Sequence, residues 1–206
     1  NTSGTSTKEN EVLREMGLNL IPVNELKINS SYGHLKRGES FQSDRLINSL
    51  DLSDGNIYKF FYNLDYVKTR STSSASKWFR HRSNSFYTIG YFKPGFDLLA
   101  EKKENTLFDK DSLISGSIQY YEMNPYLELN ELYGLTVNYK YTYREDKLPD
   151  AGIFIKESNS YGHDLSIDYK GIKEVNSNIR ITIRDKKYSD EYKLRGYLDN
   201  QTILVR

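Results

Sequence analysis

The sequence predicts an all-β fold, an antiparallel meander forming a β-sandwich or barrel, with a short N-terminal helix and a flexible N-terminal tether. Composition is the first observation. Aromatics make up 14% of 206 residues, 18 of them tyrosine, while hydrophobic content is only 37% and proline is scarce at 4. A tyrosine ring packs on a pleated surface while its hydroxyl stays wet, so this mixture suits half-exposed strands. The second is periodicity: from residue 57 onward the apolar pattern has period two, and the clearest case sets Val137, Tyr139, Tyr141 and Tyr143 against Thr136, Asn138, Lys140, Thr142 and Arg144. The third is spacing. The runs are short and separated by turn residues, with none of the long crossover helices that a parallel sheet needs.

Residues 1–10, NTSGTSTKEN, are small and polar and bury nothing, so they are expected to form a flexible tether, with 11–206 as a single β-rich domain. KENEVLREMG reads as one short helix with Val12, Leu13 and Met16 on a face and Gly17 to stop it. LNLIPVNELKI, interrupted by Pro22, is expected to be an edge strand or extended crossing. SFQSDRLINSLDLSDGN is expected to hold a helical turn through Leu46, Ile47 and Leu50 before a turn at Asp54-Gly55-Asn56. In NIYKFFYNLDYV, Tyr58, Phe60, Tyr62, Leu64 and Tyr66 make an aromatic row; SNSFYTIGYF, SLISGSIQYYEM, GLTVNYKYTYR, AGIFIKES, HDLSIDY, NIRITIRD, EYKLRGYL and QTILVR repeat the theme. Turns are expected at Lys93-Pro94-Gly95, Asn124-Pro125, Leu148-Pro149-Asp150 and Asp199-Asn200.

The formal net charge of +1 gives no global field that would argue for nucleic acid or a membrane surface. No apolar run reaches the roughly 20 residues of a spanning helix. A transmembrane barrel is disfavoured at this level, because rows beside the aromatic ones are charged and the outward rows are richer in Tyr than in Leu or Val. The absence of cysteine excludes disulfides, thiolate nucleophiles and cysteine-ligated metals. The Ser/Thr/Gly/Asn leader, without an initiating Met, resembles in organisation the segment that follows the lipidated cysteine of a bacterial lipoprotein. That resemblance covers about ten residues and implies an extracytoplasmic, cell-envelope or secreted location.

The tetrapeptide SYGH occurs twice, at 31–34 and 160–163, but its flanks differ, so it marks no repeat. Ser-Tyr-Gly is turn and strand-entry chemistry, with Gly33 and Gly162 free to take positive φ, and His34 and His163 are not expected to share a metal. The sharpest local feature lies between Asp65 and Asp97, where no acidic residue interrupts Lys68, Arg70, Lys77, Arg80, Arg82 and Lys93. The only tryptophan, Trp78, sits inside it, and residues 71–76 read as a loop of small hydroxyls. Arg70, Lys77, Trp78, Arg80 and Arg82 are therefore the expected ligand-binding set, since guanidiniums hold anions bidentately and an aromatic face offers a platform. On an extended strand, Lys77, Phe79 and His81 face one way and Trp78, Arg80 and Arg82 the other. Neutralisation by EKKEN (101–105) or DKDS (109–112) is the competing, purely structural role.

Catalytic signatures are missing. Ser71-Thr72-Ser73 resembles the Ser-Thr-Ser strand of ADP-ribosyltransferases, but the required Glu-x-Glu is absent, and there is no Gly-x-Ser-x-Gly, Walker or His-Glu-x-x-His motif. The sequence thus leads to a non-enzymatic binding or assembly module without cofactor or metal. Its expected partners are a protein or an anionic glycan rather than a specific nucleic acid, with lipid-anchored attachment and self-association as further modes. A structural subunit of a secretion, pilus or phage assembly is the alternative, and a hydrolase with an unrecognised site a third.

Overall fold

The computed structural model describes residues 10–108, 112–114, 116–172 and 175–206. The expected tether at 1–10 lies, apart from Asn10, outside the described residues. The chain runs through β1 (Glu11–Val23), β2 (Leu26–Arg37), β3 (Phe41–Ser53), β4 (Tyr58–Ser71), β5 (Ser74–Tyr87), β6 (Phe92–Leu107) and the two-residue β7 (Ser112–Leu113). It continues through β8 (Ile118–Leu132), β9 (Leu135–Asp150), β10 (Ile153–Ile172), β11 (Val175–Tyr188), the short helix α1 (Asp190–Leu194) and β12 (Asn200–Val205). Apart from β7, which pairs only with β6, each strand lies beside its sequence neighbours in one antiparallel sheet ordered β1-β2-β3-β4-β5-β6-β8-β9-β10-β11-β12. The all-β meander is as the sequence predicts. The sheet is open, with β1 and β12 as its edges.

Several local readings are corrected. The helix expected over KENEVLREMG is strand β1, paired from Glu11↔Arg37 to Val23↔Leu26. Its apolar residues fit a helical face by number, but pairing against β2 satisfies every second amide in one stroke and overrides a propensity worth tenths of a kcal/mol per residue. The helical turn through Leu46, Ile47 and Leu50 is likewise interior to β3. Lys93-Pro94-Gly95 and Asn124-Pro125 are not turns: they sit within β6 and β8, in the pairs Pro94↔Leu127 and Phe96↔Pro125. A proline there forfeits one ladder donor, yet its fixed φ stays within the extended range. The turn expected at 148–150 falls one step later, at Ala151-Gly152. There, as at Tyr133-Gly134, both residues have positive φ, the geometry that matches a two-residue hairpin to strand twist. Residues 71–76 are mostly strand, with only Thr72 and Ser73 left to turn.

Register determines what each face carries. Residues directly opposite one another in a ladder share a face, so parity can be followed across the whole sheet. One face gathers Met16, Leu18 and Leu20 from β1, Ile28 and Tyr32 from β2, Leu46, Leu50 and Leu52 from β3, and the Tyr58–Tyr66 aromatic row from β4. It continues through Phe92, Phe96 and Leu98, through Tyr121, Met123 and Leu127, and through the 137–143 row. Leu165, Ile167, Ile179, Ile181, Ile183, Ile203 and Val205 complete it. The other face carries Arg45, Asp65, Arg80, Arg82, Asp97, Glu101, Glu122, Lys140, Arg144, Asp164 and Arg184, with Phe61, Val67, Phe86 and Leu99 among them.

The only buried hydrophobic side chain among the described residues is Tyr192. The surface area is 14200 Å², where a compact monomer of this mass exposes about 10,000 Å². Large apolar side chains stand open, Met16 at 70% and Ile203 at 62%, while Asp65 and Asn124 on the polar face are each only 4% exposed. A β-sandwich would cover the apolar face with a second sheet; all the described strands of this chain belong to one sheet.

Candidate functional site on the polar face

The centre of the polar face is built by β3 to β10, whose alternate residues project there. Asp65 accepts from Arg45 Nε at 3.2 Å and Nη2 at 2.8 Å, a fork-to-carboxylate pair reaching across β3 and β4. Arg80 lies opposite Asp65 in the next ladder; its guanidinium sits 5.1 Å from the Trp78 ring, and its buried Nε has no hydrogen-bond partner among the described residues. Trp78 Nε1 donates to Glu101 Oε1 at 2.9 Å, and Tyr120 donates to Glu101 Oε2 at 2.9 Å. Arg144 stacks 4.2 Å from the Tyr120 ring, pairs with Asp146 at 2.7 Å and reaches Glu122 at 3.6 Å. Further along, Lys93 meets Glu128 at 2.8 Å, Lys140 faces Asp97 at 3.8 Å, and Arg184 pairs with Asp164 at 2.6 Å. Arg82 makes no ion pair among the described residues and opens into a hollow shared with Asp97, Glu122, Asn124 and Lys140.

The expected ligand set is divided by this geometry. Trp78, Arg80 and Arg82 share the polar face, as strand alternation requires. Lys77 and Arg70 stand on the opposite face, where Arg70 lies 5.2 Å from the Phe108 ring. Of EKKEN, Glu101 lies opposite Arg80 in the ladder and accepts from Trp78 and Tyr120, without an ion pair to the basic patch among the described residues; DKDS falls largely outside the described residues. Sequence reasoning missed Arg45, Asp65, Glu122 and Arg144. Each alternates with apolar residues in its own strand, but only register brings the four strands' polar rows together.

Gly33 and Gly162 are corrected too. Neither has positive φ, and both lie within strands. At Gly162 the missing side chain leaves room for the Arg184 side chain, opposite it in the ladder, to fold across. The two histidines belong to β2 and β10, far apart in sheet order, and both lie on the apolar face. His34 Nδ1 is 2.7 Å from Asp44, and His163 Nδ1 is 2.8 Å from the Tyr139 hydroxyl. His81 likewise meets the Tyr62 hydroxyl at 2.6 Å, and Ser30 donates to Asn48 at 2.7 Å. These polar groups of the apolar face thus bond to one another, which lowers the cost of placing them among apolar neighbours.

At the sheet end where β3 turns into β4, Asp54 Oδ1 accepts from the amides of Asn56, Ile57 and Tyr58 at 3.1, 2.7 and 2.9 Å. The Tyr58 amide foremost, with the other two, holds the Asp54 carboxyl below the usual carboxylate range. At the opposite end α1 packs Tyr192 against Tyr197, and Lys193, with the Tyr188 amide, holds Asp199 low.

No family model matches the sequence, and no curated protein matches it. Among solved structures the chain is similar to the crystal structure of Pseudomonas aeruginosa OpdQ, at 12% identity and a TM-score of 0.45, over 98% of this chain and 61% of that one. The chain therefore spans less than two thirds of that protein's length.

Proposed function

We propose that this chain is wall of a membrane-spanning β-barrel in the cell envelope, with its apolar face against lipid and its charged face lining a water-filled passage for polar solutes. One observation carries the reading: pairing register places the apolar rows of ten of the eleven consecutive strands on one face, with β5 adding Phe79 and Tyr87 beside His81, Ser83 and Ser85. The height of the band agrees. It occupies Tyr58–Tyr66 in β4, Phe92–Ala100 in β6, Tyr121–Leu129 in β8, Leu135–Tyr143 in β9 and Tyr161–Tyr169 in β10, nine residues each time. Eight steps of about 3.3 Å give roughly 26 Å along the strand, and about 20 Å of height at a 40° tilt, close to the apolar band of such barrels.

Tyrosines and phenylalanines mark both borders of the band, where amphipathic rings favour the lipid headgroup level. Beyond one border the same face turns charged, with Lys68, Arg70, Lys77, Lys102, Glu104, Glu145, Lys147, Asp185 and Lys187. The described helix is five residues long, and no helix is long and apolar enough to cross a membrane; strands would do the crossing.

In this reading the polar face is a lumen wall, non-enzymatic, whose ion pairs fix long side chains and so hold the passage open. Arg82 and the Trp78–Arg80 pair become contact points for solutes along it, which is the form the sequence-based ligand patch takes here.

The chain has no cysteine, so single substitutions report cleanly. With the whole protein in lipid vesicles, Asn138→Cys and Thr142→Cys should react with a membrane-impermeant maleimide, whereas Val137→Cys and Tyr141→Cys should not. Equal labelling of the two sets would sink the membrane reading in favour of a soluble binding or assembly module.

A further inference from the structure

The direction of the two edge strands constrains how this sheet can be completed. Each of the ten ladders along the path is antiparallel. Eleven strands with ten reversals leave β1 and β12 running in the same direction. If the sheet curled until these edges met, they could pair only as parallel strands. A second copy related by an axis along the strands fares no better, because β12 of one copy would again meet β1 of the other in parallel. A second copy joined β1 to β1 through an axis normal to the sheet would pair antiparallel, but it would send its charged border to the opposite side of the bilayer.

The edges cannot simply stay open if the membrane reading, on which this inference rests, is right. Each unpaired backbone group in hydrocarbon is costly, and only closed sheets span. On β1 the edge lies beside Met16, Leu18 and Leu20, the lipid-facing row itself. β12 presents Ile203 and Val205 in the same way.

We infer that the gap between β12 and β1 is filled by an odd number of additional antiparallel strands, giving an even total of at least twelve. Their alternation must continue the same sidedness, apolar toward lipid and polar toward the lumen, because a one-residue slip at either seam would reverse it. The partner is thus an amphipathic β-strand segment from outside residues 10–206, recognised through the free backbone edges of β1 and β12.

The test uses the whole protein in lipid vesicles, with a benzophenone maleimide attached to Asn19→Cys on β1 or to Thr202→Cys on β12, followed by mass mapping of the photo-adducts. The expected result is adducts in strand segments outside 10–206, ordered antiparallel to each edge. An intramolecular adduct between β1 and β12 would mean parallel self-closure, and a covalent dimer through either site would mean a second copy. Either result overturns the inference, as does the absence of adducts together with freely exchanging edge amides. The maleimide pattern at residues 137–142, read on the same preparation, keeps the two proposals apart: alternation with a β1–β12 adduct removes only the strand-number inference.

Discussion

Leu165 offers the sharpest test of sidedness, because its neighbour in sequence stands on the other face. It lies at the middle of the Tyr161–Tyr169 band and is flanked in register by Tyr139 and Ile181, themselves within apolar rows. An arginine at the bilayer midplane on a lipid-facing strand costs about 2–4 kcal/mol. Leu165→Arg should therefore lower the folding equilibrium in lipid roughly 30- to 700-fold, taking tenfold per 1.4 kcal/mol. Ser166 points into the polar face, near Asp168 at 3.3 Å, so Ser166→Arg adds a cation beside a carboxylate and should change stability by no more than about 0.5 kcal/mol. The assay is equilibrium denaturant unfolding of the vesicle-reconstituted protein, followed by Trp78 emission, whose indole is tied to Glu101. A difference between the two variants below about 0.5 kcal/mol, or a larger loss at Ser166, would refute the assignment of faces.

Asp65→Ala should cost about 2 kcal/mol, because it removes a nearly buried carboxylate and leaves the Arg45 guanidinium without the counter-charge it grips in a fork; a loss under about 0.5 kcal/mol in the same unfolding assay would contradict that account. Gly134→Ala should cost about 2 kcal/mol, since φ is +79° and a Cβ would come within 2.6 Å of Gly171 Cα, whereas Gly162→Ala meets only the flexible end of Arg184 and should cost well under 1 kcal/mol. Thermal or denaturant midpoints of the two variants check the order. Asp54 has a depressed carboxyl, so the unfolded state binds more protons at low pH: its contribution is complete above the ordinary value of 3.8 and is lost as pH falls through the lower folded value. Amide exchange at Asn56, Ile57 and Tyr58, corrected for intrinsic rates, should rise over that acid range in the native protein and be raised at neutral pH in Asp54→Ala. Protection indifferent to both changes would remove the carboxylate from its role.

Strand content was legible because it depends on neighbours in the chain. The alternation at 137–143 and 58–66 states which residues share a face of one strand, and Trp78, Arg80 and Arg82 fall together for the same reason. What the sequence could not settle alone was the phase between strands, which depends on turn lengths and ladder offsets. Two-residue turns at Tyr133-Gly134 and Ala151-Gly152, and a β6–β8 ladder that runs unbroken through Pro94 and Pro125, set that phase, and a slip of one residue would exchange the apolar for the polar face. Read strand by strand, a Tyr-rich row beside a charged row looks like a soluble half-exposed sheet. Aligned by register, the same rows make one apolar band about nine residues tall. Arg45 and Asp65 show the point most plainly: twenty residues apart and unremarkable in sequence, they meet at 2.8 Å because β3 and β4 pair with Arg45 opposite Val67, which places both side chains on one face a single diagonal step apart. Composition and period determined that the chain is β; only the hydrogen-bonded ladders decided which face gathers the apolar rows and which the charged ones.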